Sequence, residues 1–133
     1  MTHQPMKLHE SILTFWKTAL ITIFILSLCL IPANSLQKID PFKVTYEDIV
    51  AHFCMFLGFS FTLAYDLKKY IRKSGRTIRV WLMTIVISLL LGIGTEMLQY
   101  LLVGLNRTAN AGDFLFDSVG TAAGVIAARF ILR

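Results

Sequence analysis

His52, Glu96 and Asp117 are ionisable residues that fall inside three different long apolar blocks of this chain. A buried imidazole can give or take a proton near neutral pH, and buried carboxylates can do the same or accept hydrogen bonds. Their neighbours repeat at helical spacing. Asp48 and His52 are four residues apart and share one helix face; Glu96, Gln99 and Tyr100 share another; Asp113, Asp117, Gly120 and Gly124 form one stripe. Arg107 precedes that stripe, and its planar guanidinium suits a phosphate or a carboxylate. The pattern makes His52, Glu96 and Asp117 the candidates for acid–base work, and Asp48, Gln99, Arg107 and Asp113 the candidates for binding. Each has a structural alternative, since polar residues near helix ends can snorkel, cap a terminus or tie helices together. Asp113 and Asp48 both suit helix starts.

Other chemistries find no support. No Cys-x-x-Cys, His-Glu-x-x-His or Gly-x-Ser-x-Gly occurs, so no metal site and no cofactor is expected. A lone histidine with carboxylates suits manganese, magnesium or calcium better than structural zinc, which keeps a metal enzyme as a minor alternative. Cys29 and Cys54 both lie inside apolar blocks and read as buried small hydrophobes. Asn106-Arg107-Thr108 matches a glycosylation sequon, a short pattern with many chance matches.

The elements that position these residues follow from composition. Among 133 residues, 56% are hydrophobic and 16% charged, and the mean hydropathy is +0.66. Soluble domains carry about 25% charged residues. Four apolar blocks, over about 13–32, 49–66, 79–103 and 114–132, are close to the roughly 20 residues that cross a bilayer. The sequence therefore predicts an all-α, four-helix transmembrane bundle, one integral membrane domain over 1–133. Ala33-Asn34-Ser35 resembles a signal-peptidase site and the residues before Cys29 a lipoprotein box. The first apolar run is too long for a signal core, and Leu28 stands where the box needs a small residue, so a retained helix is expected.

Basic residues set the expected orientation. Lys68, Lys69, Arg72, Lys73, Arg76 and Arg79 cluster between the second and third blocks, which places 66–79 and both termini in the cytoplasm. Ten basic residues then lie inside and three outside. Trp16 and Trp81 fall at the cytoplasmic interface, while His52, Glu96 and Asp117 fall in the outer half of the membrane. The basic cluster reads as a topology signal resting on anionic headgroups rather than as a nucleic-acid or phosphoinositide site, since it has no recognisable nucleic-acid module and no base-stacking pattern. Gly120-x-x-x-Gly124-x-x-x-Ala128 predicts close helix packing, either within the chain or in a homodimer.

The same residues carry a family resemblance. Asp48-Ile-Val-Ala-His52-Phe53 resembles the Asp-Lys-x-x-His-Phe motif of the VanZ-like family, and Glu96-Met-Leu-Gln99 its Glu-x-x-Gln element. The run from Arg107-Thr through Asp113, Asp117 and Gly120 to Gly124 resembles its Arg-Ser…Asp-x-x-x-Asn-x-x-Gly-x-x-x-Gly signature. Ile49 departs from the family's usual lysine and Asp117 from its usual asparagine, so Arg107 becomes the expected partner of Asp113 and Asp117. The resemblance implies a small polytopic membrane protein, with a bacterial cytoplasmic (inner) membrane as its expected location. It also implies a link to teicoplanin tolerance and the cell envelope. On that reading the partner is a membrane lipid or lipid-linked envelope component, held by Arg107, with His52 oriented by Asp48. The alternatives are a non-enzymatic structural or partner-binding protein and a small transporter subunit.

Overall fold

The computed structural model describes residues 8–31, 41–71, 77–102 and 111–132, with side chains described from residues 13, 49, 77 and 111 onward. These residues form four α-helices and no strand: α1 (Leu8–Cys29), α2 (Pro41–Ile71), α3 (Thr77–Leu101) and α4 (Ala111–Ile131). Three of them contain stretches long and apolar enough to cross a membrane, Ile49–Ile71, Thr77–Leu101 and Ala111–Ile131; α1 offers the shorter apolar stretch Leu13–Cys29.

Apolar residues cover the outside of the bundle. Leu82, Met83, Val86, Leu90, Ile93 and Met97 on α3 are exposed, whereas its buried face is Val80, Thr84, Ser88, Gly92, Thr95 and Gln99. Lipid solvates leucine as well as a protein interior does, so apolar side chains gain little by turning inward. Small and hydroxyl side chains let backbones approach and exchange hydrogen bonds. The hydroxyls are largely accommodated within their own helix: Thr84 donates to the Val80 carbonyl at 2.8 Å and Thr95 to the Gly92 carbonyl at 2.8 Å.

Paired contacts give the directions of the helices. His52 meets Asp117, Phe53 meets Gly120 and Leu57 meets Gly124, with both numbers rising together, so α2 and α4 run parallel. Phe15 pairs with Tyr70 at 5.5 Å between ring centroids and Thr18 with Asp66, so α1 runs antiparallel to α2. The α2–α4 seam is the most extensive in the bundle. A Cβ on Gly120 would collide with the Phe53 carbonyl, and one on Gly124 with the Leu57 carbonyl and the Ser60 hydroxyl. Both positions therefore need glycine for close approach. An apolar cluster of Ile25, Cys29, Phe56, Phe59, Leu63, Leu67 and Val80 fills the space among α1, α2 and α3.

Two expectations are corrected by this packing. The second helix does not stop at 66. It continues to Ile71, so Asp66, Lys68 and Lys69 are helical rather than loop residues. Asp66 is 1% exposed, and its Oδ2 accepts hydrogen bonds from the Thr18 hydroxyl at 2.7 Å and the Thr18 amide at 3.4 Å, which holds the carboxylate inside. Of the two cysteines, Cys29 is buried but Cys54 is exposed, because its position on α2 falls on the outward side of the His52–Phe56 face.

Candidate functional site: a buried His–Asp pair between parallel helices

His52 sits on the stretch of α2 that also presents Phe56, Phe59, Ser60 and Leu63 to the interior. Asp117 lies on the buried stripe of α4 with Asp113, Gly120, Thr121 and Gly124. The glycine contacts one and two turns further along α4 draw the helices together, and His52 Nδ1 then lies 2.8 Å from Asp117 Oδ1. The ring N–H donates to the carboxylate. Both side chains are within 2% of full burial, so the contact is made away from water, at an ordinary hydrogen-bond distance.

The third helix completes the enclosure. A Cβ on Gly92 would stand 3.2 Å from Asp117 Oδ2 and 3.5 Å from the Phe114 ring, so the absence of a side chain at Gly92 leaves room for the carboxylate. Asp117 Oδ2 itself is buried and has no hydrogen-bond partner among the described residues. The hydroxyls of Ser88, one turn from Gly92 on α3, and Thr121, one turn from Asp117 on α4, are also buried without partners among the described residues. A buried polar atom left unsatisfied costs about 1–3 kcal/mol, so three such atoms on two facing helices require an explanation.

The expected site residues divide. His52 and Asp117 come together. Asp113 is buried in the first turn of α4, where a carboxylate is favoured by the helix dipole. Gly120 and Gly124 face the α2 backbone rather than a second copy of the chain. Glu96 is partly buried on α3, and Tyr100 is 71% exposed, so the expected shared face of Glu96, Gln99 and Tyr100 splits. Gln99 is buried and its Nε2 donates to the Cys29 carbonyl at 3.2 Å, which ties the last turn of α3 to the end of α1. Arg107 and the side chain of Asp48 lie outside the described residues. The anticipated Arg107–Asp117 contact therefore has no described geometry, and the described partner of Asp117 is His52. Among the described residues no group of three or more His, Cys, Asp or Glu side chains could hold a metal ion.

Sequence reasoning passed over the hydroxyl residues. Thr18, Ser60, Thr84, Ser88, Thr95 and Thr121 are all buried. On α3 the signal was present: Val80, Thr84, Ser88, Gly92, Thr95 and Gln99 recur every three or four residues within an otherwise apolar block.

A bundle of apolar-surfaced helices around a polar seam is the build of an integral membrane protein. The VanZ/LLP1 family profile matches residues 7–132, nearly the whole chain, and the chain belongs to that family. No curated protein and no solved structure matches it.

Proposed function

We propose that this VanZ-family membrane protein recognises the headgroup of a cell-envelope amphiphile at a polar centre in the outer half of the bilayer. Four spans with both termini in the cytoplasm put the His52–Asp117 pair at that depth. The observation that carries the reading is the unsatisfied Asp117 Oδ2, with the orphaned Ser88 and Thr121 hydroxyls on the adjoining seam. A polar headgroup entering between helices supplies the missing hydrogen bonds. Asp117 fixes the imidazole through Nδ1 and so sets its orientation. Arg107, in the segment joining α3 to α4, provides the cation for a phosphate or carboxylate. A site at this depth fits tolerance to an outside-acting, lipid-tailed antibiotic of the teicoplanin type.

A second reading is favoured by one observation. His52 and Asp117 are almost fully buried and tightly paired, as a lock between α2 and α4 would be. The test compares a deletion strain with strains restored by the natural chain, His52→Ala or Asp117→Asn. Envelope lipids, teicoplanin susceptibility and the amount of folded protein are measured together. Recognition predicts altered lipids or susceptibility at undiminished protein level. Loss of folded protein in step with the phenotype supports the lock, and unchanged lipids and susceptibility on deletion would refute recognition.

A further inference from the structure

At the other end of the bundle a cavity of about 530 Å³ is lined by Lys68, Thr77, Ile78, Trp81, Arg129 and Leu132. Sixteen residues of helix separate His52 from Lys68, roughly 24 Å at 1.5 Å per residue, so this space is distinct from the polar centre. We infer that the cavity is a binding site for a phosphate-bearing anion, with Lys68 and Arg129 as its ligands.

Three elements build it. Because α2 and α4 run parallel, they end side by side, and each brings one cation to the same space. Helix α3 starts there in the opposite direction. Among the described residues no carboxylate lines the cavity, and neither Lys68 nor Arg129 has a salt-bridge partner. Asp66, the nearest acid along α2, is committed to Thr18 and buried. Two cations that line one space attract an anion more strongly than either does alone. Arginine offers a flat fork for phosphate oxygens and lysine a mobile point charge. The first turn of α3, from Thr77, adds backbone N–H groups with no partner inside their own helix. Trp81, Ile78 and Leu132 give the same space an apolar wall, which matches the glycerol and upper acyl region beside a lipid phosphate. Indole also favours that depth. Anionic lipid and free phosphate share the recognised chemistry, and the experiment separates them.

Trp81 reports on the cavity directly. The only other tryptophan is Trp16, so a Trp16→Phe chain carries a single emitting indole at the site. That chain is reconstituted in phosphatidylcholine vesicles, and quenching is compared for brominated phosphatidylglycerol and brominated phosphatidylcholine at equal mole fraction. In a parallel arm, inorganic phosphate is titrated into vesicles of phosphatidylcholine alone and Trp81 emission is followed. A preference of at least about fivefold for phosphatidylglycerol is expected, the order that one cation near a membrane surface supplies, and about thirtyfold where both act in full. Lys68→Gln/Arg129→Gln should abolish it, while the equal charge change Lys69→Gln/Arg79→Gln, at residues that do not line the cavity, should retain it. A saturable response to inorganic phosphate that Lys68→Gln/Arg129→Gln removes would assign the site to free phosphate. Equal quenching by both lipids with no phosphate response overturns the inference. So does a preference that both double variants lose equally, since that marks a diffuse basic surface.

Discussion

The imidazole of His52 and the carboxylate of Asp117 meet at 2.8 Å across two helices that run in the same direction, although 65 residues separate them in the chain. Parallel neighbours in a helical bundle need an intervening helix, and α3 supplies it while giving up a side chain at Gly92 to make room for Asp117.

That pair is expected to be energetically coupled. His52→Ala and Asp117→Asn should each lower thermal stability in detergent, and the double variant should lose less than the sum. Contacting residues in one hydrogen-bonded unit show coupling of about 0.5–3 kcal/mol. Additive losses in the double-mutant cycle would dissociate the two side chains.

The glycines divide by what surrounds them. Gly120 and Gly124 have backbone of α2 where a Cβ would go, so alanine at either should lower stability by about 1–3 kcal/mol, the usual cost of overpacking. Gly58 and Gly94 have nothing within 4 Å of an added Cβ. Alanine there should be neutral or stabilising, by up to about 1 kcal/mol, because glycine in a helix carries an entropic penalty. Melting temperatures of the four single variants check the contrast, and equal losses at all four would deny the close approach.

Thr18 should matter through its hydroxyl alone. Thr18→Val keeps the shape and leaves the buried Asp66 carboxylate with only the longer amide contact, at an expected loss of about 1–3 kcal/mol. Thr18→Ser keeps the donor and should stay close to the natural chain. Differential scanning fluorimetry on the pair decides it, and a valine variant as stable as the serine one would remove Asp66 from the α1–α2 contact.

Membrane orientation is checked with reporter fusions. A fusion after Asn110 should report an external location and one after Ser74 a cytoplasmic one, as the distribution of basic residues requires. Reversal of the two signals would move the His52–Asp117 pair to the cytoplasmic half.

Block length and charge made the helical class legible, because hydrocarbon thickness and backbone hydrogen bonding leave few options for a chain this apolar. Helix ends were less legible. Asp66 and Lys68 read as loop because they are charged, yet a threonine 48 residues earlier satisfies the aspartate, and the lysine can extend past the end of the apolar span. His52 and Asp117 were each visible as costly residues at one depth, but their contact was not, since local spacing points His52 to Asp48 and Asp117 to Arg107. Which helices pack closest depends on where a backbone can approach, and the four-residue spacing of Gly120 and Gly124 carries that information without naming α2 as the neighbour. The hydroxyls of α3 were hidden for the opposite reason: single Ser and Thr residues barely interrupt hydropathy, so they look like part of the apolar block.

The α2–α4 seam also fixes an order of events during synthesis. His52 enters the bilayer when α2 does, but Asp117 and the glycines that dock against α2 are made about 60 residues later, several seconds at ordinary translation rates. Throughout that interval α2 lacks the Asp117 contact and the glycine surface that packs against its backbone. The α2–α4 seam is therefore among the last contacts of the bundle that can close, because half of it is made only with α4.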